Sequence, residues 1–378
     1  MLNYVNEWCS KWRLKINPTK SNVVHFRNTG KQRSNHQFHV GINNLSYVAS
    51  YKYLGVVFNE FLDLNLTAET LSLSGGRALG SVISKIHNFK SVGVQTYTKL
   101  YNSCVVPVMD YCSGVWGFKT HSKADVVQNR AIRYFLGVHR FTPTLALNGE
   151  IGWVPCKTRR WVNILRLWNR LVKMNDSRLT KKVFLFDYSC KINTKSWCSD
   201  VKSILSYVNM EDIYRNKRTC DVNIIERLLL TKHNETWLNG IHNVAKLRTY
   251  VTFKTDYCCE NYVKRNLEKT ERSYLAQFCC GILPLRIETG RCVGQKPEER
   301  ICLVCSSNSI EDETHFLLEC SLYNTERQLL FRNVSIKHNQ FQTLSETDKL
   351  KMLVSEEPRL CASFISTAFK KRRSLLYS

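Results

Sequence analysis

The segment TRRWVNILRLWNRLVKMN, residues 158–175, contains the clearest helical pattern in the chain. Its apolar residues recur every three or four positions and form one face, made of Trp161, Ile164, Leu165, Trp168, Leu171 and Val172. Gaps of seven, four and three residues place a row of cations on the opposite face, made of Arg159, Arg166, Arg170 and Lys173. The pattern predicts an amphipathic helix that packs on its tryptophans and turns a basic stripe outward.

The basic stripe has two interpretations. Residues 157–182 contain nine basic residues and a single acid, Asp176. A row of like charges repels itself unless a polyanion lies along it, whereas a merely solvated face usually mixes both signs. The stripe therefore favours contact with phosphates over a solvated face.

The composition favours the same kind of partner. The 378 residues are 43% hydrophobic and 23% charged, which is typical of a globular protein with two or three domains. The net charge of +24 favours a polyanion over the alternative that the charge serves solubility alone. We expect RNA and/or DNA as the partner, and the sequence predicts no oligomeric state.

The cysteines and the first residues bear on localisation. The chain has 16 cysteines at irregular spacings and begins MLNYVNEWCSKW, without the apolar core of a signal peptide. It contains no run of 18 apolar residues, so no membrane span is expected. These features predict an intracellular protein, in the nucleus or cytoplasm, whose cysteines stay reduced and mostly fill the core.

Four residues near the C-terminus have the spacing of a metal site. Cys302-x2-Cys305-x9-His315-x4-Cys320 supplies three thiolates and an imidazole. Zn²⁺ binds such sets tetrahedrally, and a site with four protein ligands is closed and structural. The alternatives are unrelated cysteines and a redox Cys-x-x-Cys pair, which is disfavoured because no strand-then-helix unit surrounds it. We expect structural Zn²⁺ on all four residues.

Two basic segments flank this motif. Arg286, Arg291 and Arg300 lie upstream, where they could extend a basic surface or pair with the glutamates between residues 288 and 299. KKRR, residues 370–373, could be a nuclear import signal but is more typical of a frayed, charged terminus.

The N-terminal part mixes helix and strand patterns. A helical face begins at once with Leu2, Val5, Cys9 and Trp12. No capping residue precedes it, so we expect Met1 to be an internal methionine of a longer reading frame. The segment WRLKINPTKSNVVHFR, residues 12–27, then turns at Asn17-Pro18 and becomes strand-like.

Two further strand patterns follow. Alternation at Phe38, Val40 and Ile42 predicts a strand that turns at Asn43-Asn44, and YKYLGVVF, residues 51–58, is strongly strand-like. Together they form an α+β fragment too small to bury a core alone.

Several of these segments resemble the reverse transcriptases of non-LTR (LINE-type) retrotransposons. LKINPTKSNVVHF, residues 14–26, resembles motif D at the end of the family's palm domain, and YKYLGVVF resembles motif E. Residues 149–174 resemble the helical region after the palm. GILPLRIETGR followed by ERICLVC, within residues 281–305, resembles the carboxy-terminal region, and the resemblance is weaker between residues 184 and 240.

The resemblance implies roles for particular residues. Lys20 matches the motif D lysine, which is an auxiliary catalytic group near the phosphates of the incoming nucleotide. Without this resemblance, Lys20 would be interpreted as a solvated lysine on a turn. The primer grip, a hairpin that holds the primer terminus, is matched by Tyr51, Lys52, Tyr53, Leu54 and Gly55. Ordinary sheet packing is the alternative for the tyrosines, whereas the glycine would permit close backbone approach.

The expected fold is mainly α with a small α+β remnant of a polymerase palm at the N-terminus. Helical faces are expected around Leu79 and Ile86, and in a helix that begins near Ser122 and stops at Gly137. The expected divisions are a palm remnant over residues 1–70 and a helical thumb-like domain over residues 71–187. A poorly defined helical linker region over residues 188–245 and a C-terminal region with a CCHC zinc knuckle over residues 246–378 follow.

The missing catalytic groups decide the expected activity. Polymerases of this family hold two metal ions on carboxylates that include an Asp-Asp pair, and this sequence contains no Asp-Asp dipeptide. It also lacks HExxH, GxSxG and GxxxxGK[ST] motifs. We therefore expect the C-terminal portion of an RNA-directed DNA polymerase that binds nucleic acid, with Mg²⁺ only in the full-length enzyme. Alternatives are a truncated gene model of an active reverse transcriptase and a co-opted zinc-knuckle protein that makes protein contacts.

The purified chain is expected to show no primer extension on an RNA template with Mg²⁺ or Mn²⁺, because it has no acid pair to hold two metal ions. Incorporation of labelled nucleotide measures this. Extension that Lys20→Ala abolishes would show that an active site is present after all.

Overall fold

The computed structural model describes residues 1–190 and 196–376, and it confirms the expectation of a mainly α fold. Within that part of the chain, no helix combines the length and apolar character needed to cross a membrane. The helices are α1 Leu2–Lys11, α2 Asn65–Ile86, α3 Val94–Leu100, α4 Val106–Met109, α5 Ser113–Trp116, α6 Ser122–Leu136, α7 Thr144–Ile151, α8 Cys156–Val172, α9 Leu179–Ser189, α10 Trp197–Tyr207, α11 Glu211–Arg215, α12 Val222–His242, α13 Tyr250–Phe253, α14 Asn261–Lys264, α15 Lys269–Cys279, α16 Arg286–Cys292, α17 Asn324–Lys337, α18 Glu346–Ser355 and α19 Pro358–Leu376.

Short pieces of other helix types connect these elements. Two are π-helical, Tyr101–Val105 between α3 and α4 and His315–Glu319 before α17. The 3₁₀ turns are Pro18–Lys20, Ala245–Leu247, Pro297–Glu299, Ser321–Tyr323 and Phe341–Thr343.

The strands are short and lie near the N-terminus: β1 Asn22–Val23, β2 His39–Val40, β3 Asn43–Asn44, β4 Ser46–Tyr47, β5 Ser50–Tyr53 and β6 Val56–Asn59. β1 pairs with β4 in parallel, whereas β2–β3 and β5–β6 are antiparallel pairs. The turn predicted at Asn43-Asn44 is wrong, because those residues pair as a strand and Gly41 and Ile42 make the turn. The β2 register pairs Val40 with Asn43 across that turn.

Residues 51–58 form a hairpin with a two-residue turn. Leu54 and Gly55 both have positive φ angles, 46° and 88°, which is the backbone that tight hairpins require. A Cβ on Gly55 would lie 2.9 Å from the ring of Tyr111, whose hydroxyl donates to the Leu54 carbonyl at 3.0 Å. The hairpin turn is therefore held against the segment between α4 and α5.

The predicted N-terminal helix is present as α1, but its apolar face is not covered. Trp8 is 49% exposed and Trp12, just after the helix, is 63% exposed. Within the described residues α1 contains no buried side chain. The small α+β part therefore has little core of its own, as expected from its size.

The helical part has two hydrophobic cores. The larger combines α2, α6 and α7 with α12 and the C-terminal helices, from Leu79 to Phe369. The second surrounds α8, where Trp168 packs on Phe184 and Tyr214 and donates from Nε1 to the Arg218 carbonyl at 2.9 Å. The tryptophan face predicted for this helix is confirmed as buried, and the helix is found at Cys156–Val172.

These cores cross the expected domain divisions. The division at 70/71 lies inside α2, and the second core joins residues on both sides of 187/188. The larger core likewise spans 245/246, because Leu79 and Phe369 belong to it. The helix predicted to stop at Gly137 is confirmed as α6, where that glycine adopts a φ of 70°.

One acid lies deep in the larger core. Glu150 is fully buried, and its carboxyl accepts a hydrogen bond from the Tyr262 hydroxyl. Burial, reinforced by the nearby Glu260 carboxylate, raises the pKa of Glu150 to about 8. The folded chain therefore holds this carboxyl protonated under conditions in which the unfolded chain ionises it.

We expect this group to make stability fall as pH rises. The pKa of Glu150 in the folded chain lies above the unfolded value of 4.5. The stabilisation from this group is therefore complete below the unfolded pKa, and the free energy of unfolding falls as the pH rises from about 4.5 to 8. The loss is at most about 1.4 kcal/mol per pH unit for one proton. Urea unfolding of the wild type and of Glu150→Gln over this range measures it. Equal pH slopes in the two proteins would contradict the assignment.

Candidate metal centre and nucleic-acid interface

A short hairpin carries the first two predicted ligands. The Cys302 amide donates to the Ser309 carbonyl at 2.9 Å, and the Glu311 amide donates to the Arg300 carbonyl at 3.0 Å. Ile301 and Ile310 form the bridge between these bonds. Cys302 thus ends one arm, and Cys305 lies in the loop that follows it.

A π-helical turn carries the other two ligands. The Cys320 amide donates to the His315 carbonyl at 2.8 Å, which closes a five-residue turn. The His315 amide donates to the Asp312 side chain at 2.8 Å, which fixes the start of this turn. A π turn brings residues five apart nearly above one another, so the His-x4-Cys spacing directs both side chains to the same side.

The four side chains converge as the spacing predicts. Their ligand atoms all lie within 4.8 Å of one another. Cys302 Sγ lies 3.9 Å from Cys320 Sγ, and Cys305 Sγ lies 3.4 Å from His315 Nε2. Ligand atoms on a tetrahedral zinc are separated by roughly 3.5–3.8 Å, given bonds near 2.0–2.3 Å. The cluster could therefore hold a metal ion, and four protein ligands would leave no open position on it.

Neighbouring groups orient these ligands. His315 Nδ1 lies 3.1 Å from the Glu319 carboxylate, which leaves Nε2 directed at the cluster. On the other side, Cys302 Sγ lies 3.5 Å from Glu311, which is paired with Arg372. The Arg327 guanidinium donates to the carbonyls of Leu317 and Cys320 and so braces the π turn.

One of the two hydrogen-bonded thiols, Cys320, is favoured for ionisation and the other, Cys302, is not. A hydrogen bond between them raises the pKa of Cys302 and lowers the pKa of Cys320. Burial opposes the charged form of His315, but hydrogen bonds with Glu319 and the cysteine sulfurs outweigh burial and raise the pKa of His315. A bound cation would displace the shared protons and remove the repulsion between thiolates.

The flanking basic segments are largely engaged inside the protein. Arg291 pairs with Glu288 at 3.1 Å, and Arg300 donates to the Ile287 carbonyl at 2.8 Å. KKRR lies within α19 and is not frayed, so that interpretation is wrong. Lys371 pairs with Glu326 at 2.9 Å, and the Arg372 guanidinium is buried against Glu311.

The basic stripe on α8 is shorter than predicted. Arg166, Arg170 and Lys173 are exposed and form no ion pair with any described residue. Arg159 does not belong to this exposed surface, so its predicted position on the outward stripe is wrong. Its guanidinium donates to Asp110 at 2.9 Å and to Gln128 at 2.6 Å, because the segment ending at α4 covers this end of the face.

The N-terminal candidates lie together. The Tyr51 hydroxyl donates to the Lys20 carbonyl at 3.0 Å, so the turn that resembles motif D touches the hairpin that resembles motif E. Lys20, Lys52 and Tyr53 are exposed, and the hairpin tyrosines do not pack into a larger sheet. The structure therefore brings the five hairpin residues and the lysine turn to one surface.

Sequence reasoning missed the groups behind the stripe. Arg160 is fully buried, with its guanidinium carbon 5.8 Å from the centroid of the Trp116 ring and its nearest nitrogen 3.9 Å from Asp110. Asp110 therefore faces two arginines, Arg159 and Arg160. The pairing of Asp110 with Arg159 joins residues 49 positions apart, and no local sequence pattern indicates it.

Comparisons with protein-family models, with curated proteins and with solved structures return no match. The metal cluster, the exposed cations and the N-terminal surface are thus the features that support a function.

We expect the wild-type chain to bind one Zn²⁺ and His315→Ala to bind far less zinc. Loss of the imidazole leaves only three protein ligands for an ion that binds four in a structural site. Glu319→Gln should keep the ligands but weaken zinc affinity by about 10- to 100-fold. Metal analysis and competition with a chromophoric chelator measure both. His87→Ala, an exposed histidine outside the cluster, is the control. Negligible zinc in the wild type, or equal zinc in the wild type and His315→Ala, would contradict the site.

Proposed function

We propose that this chain binds nucleic acid through phosphate contacts and is the C-terminal portion of a non-LTR retrotransposon reverse transcriptase, without polymerase activity of its own. The observation that carries the proposal is the outward row of Arg166, Arg170 and Lys173, three cations on one helix with no acidic partner among the described residues. In a chain of net charge +24, such a surface is best neutralised by a polyanion.

The rigidity of α8 supports this role. Trp168 and Leu171 are buried in the second core, so the helix cannot turn its cations away from solvent. The loop that meets Trp168 at the Arg218 carbonyl adds an exposed lysine, Lys217. The neighbouring Arg215 and Arg218 are also exposed but pair with Glu211 and Asp212. Phosphate groups along a strand would meet preorganised charges rather than free side chains on a mobile segment.

The N-terminal surface supports the reverse transcriptase assignment. The segments that resemble motifs D and E touch through Tyr51 and the Lys20 carbonyl, as parts of one palm would. In this proposal Tyr51, Lys52, Tyr53, Leu54 and Gly55 act at the primer terminus, and Lys20 acts near phosphates. Residues 1–70 would be the palm remnant and residues 71–187 the thumb-like domain.

The metal in this proposal is structural Zn²⁺, held by Cys302, Cys305, His315 and Cys320. Mg²⁺ would belong only to a longer enzyme that includes the catalytic acids. All 16 cysteines are free thiols, which suits a reducing compartment, so we place the protein in the nucleus or cytoplasm.

A second candidate is protein contact through the zinc knuckle. Leu303, in the loop between the first two ligands, is 63% exposed, and Ile310 on the other arm is also exposed. Apolar side chains at a rigid tip are typical of protein contacts. Retention of a protein partner that resists salt, without retention of nucleic acid, would favour this function.

We expect Arg166→Gln combined with Arg170→Gln to weaken binding uniformly across sequences. Each phosphate contact releases counterions, so log K falls against log salt with a slope of roughly −0.9 per contact on duplex DNA and about −0.7 on single strands. Loss of two contacts should therefore make the slope of log K against log salt shallower by about twice the value for one contact. Fluorescence anisotropy across a salt series measures it, and circular dichroism checks the fold.

A control with equal charge loss is Arg332→Gln combined with Lys351→Gln, exposed cations on α17 and α18. The slope of this control should match the wild type. If both double variants change the slope equally, binding follows net charge and not α8. An unchanged slope in the α8 variant would exclude the stripe and favour the hairpin surface.

A further inference from the structure

A groove of about 340 Å³ lies among α6, α7, the start of α8, α12 and the loop before α14. Its volume is in the range of small-ligand sites, about 300–1,000 Å³. It is separate from the metal cluster and from the exposed stripe. Its character is set by three polar and three aromatic side chains: Asp125, Asn129, Asn148, His233, Trp237 and Tyr257.

The aromatic side is rigid and has satisfied polar atoms. The Tyr257 hydroxyl donates to the Trp153 carbonyl at 2.9 Å, and Trp237 Nε1 donates to the Leu145 carbonyl at 2.8 Å. The His233 ring stands edge-on to Tyr257, with ring centroids 4.6 Å apart at 88°. Apart from the nitrogens of the His233 ring, this side of the groove therefore offers ring surface rather than free hydrogen-bonding groups, which suits a planar ligand.

The polar side has unused hydrogen-bonding capacity. Asn148 Nδ2 donates to Asn129 Oδ1 at 3.0 Å and to the Thr144 carbonyl at 2.8 Å. Asn129 Nδ2 and Asn148 Oδ1 then have no partner among the described residues. Asp125 lies one turn before Asn129 on α6, so its carboxylate is next to the free amide donor.

The lining residues of the groove include no cluster of cations that would hold a phosphate. They include the Asp125 carboxyl group and one lysine, Lys157, whose ammonium lies 4.4 Å over the Trp161 ring. Burial lowers the pKa of His233, which favours its neutral ring. Burial also raises the pKa of Asp125, although the Cys156 thiol donates to its carboxylate and Arg160 and Arg159 lie near it. A ligand that brings N–H donors to Asp125 would replace the water it has lost.

We propose that this groove binds one unpaired nucleobase of a single-stranded nucleic acid, with guanine preferred. The ring would lie against His233 and Tyr257. Guanine has two adjacent N–H donors, on N1 and N2, beside the O6 acceptor, and this edge complements the Asp125 carboxylate next to the Asn129 amide donor. The inference rests on the proposed function, in that the cations outside the groove hold the sugar–phosphate strand.

The test uses the whole chain with two kinds of probe. The first is a short oligothymidylate compared with the same oligomer carrying one central guanine. The wild type should bind the guanine oligomer roughly 10-fold more tightly. Asp125→Asn should remove this difference while leaving the salt slope unchanged, and Asn129→Leu should reduce it. Asp176→Asn, which removes an exposed carboxylate on another surface, is the matched control and should keep the preference.

The second probe is the free nucleoside, with guanosine, adenosine, cytidine and uridine compared by calorimetry. Guanosine bound by the wild type and not by Asp125→Asn supports the groove. If guanosine binds but no oligomer is retained at any salt concentration, the groove stands and the proposed function fails. If oligomers bind with a steep salt slope but without a base preference that Asp125→Asn changes, the base site is overturned and phosphate binding stands.

Discussion

The buried pairing of Glu311 with Arg372 is the interaction on which the C-terminal part of the structure depends. The carboxylate is 1% exposed, and a buried charge is costly unless it is paired and hydrogen-bonded. It receives the Arg372 guanidinium from α19 and the Arg286 amide from the start of α16, at 2.7 Å for the latter. It also lies beside Cys302, so one side chain links the metal hairpin to two helices.

Much of the positive charge of the chain serves such internal links. Arg159 pairs with Asp110, and Arg272 donates to the Phe135 carbonyl at 2.9 Å, where it also lies over the Phe135 ring. Arg327 ties two backbone carbonyls at the metal cluster. Guanidinium groups suit these positions because their several donors can satisfy carbonyls and carboxylates together. The charge available to a partner therefore comes from fewer residues than the sequence count of 55 lysines and arginines suggests.

Local patterns predicted local features well. The periodicity of residues 158–175 located α8 and its buried tryptophans, and the Cys/His spacing located four atoms that converge in space. The predicted position of Arg159 failed because its cover comes from Asp110, far away in sequence. No sequence pattern indicated that Leu79 and Phe369 share one core, which crosses the predicted domain divisions. The groove at Asp125 draws on five segments, and none of them alone has a pattern that indicates a site. Pairings across long sequence separations leave no periodic trace, so sequence reasoning cannot find them.

The π turn at His315–Glu319 makes chain length, rather than residue type, the strict requirement at the metal cluster. The residues between His315 and Cys320 include Phe316 and Leu317, which fill the core, and other apolar side chains could replace them. Loss of a single residue from this stretch would let an ordinary α turn form and rotate Cys320 by roughly 100° away from the other ligands. Insertions and deletions in this stretch should therefore be far rarer over evolutionary time than substitutions.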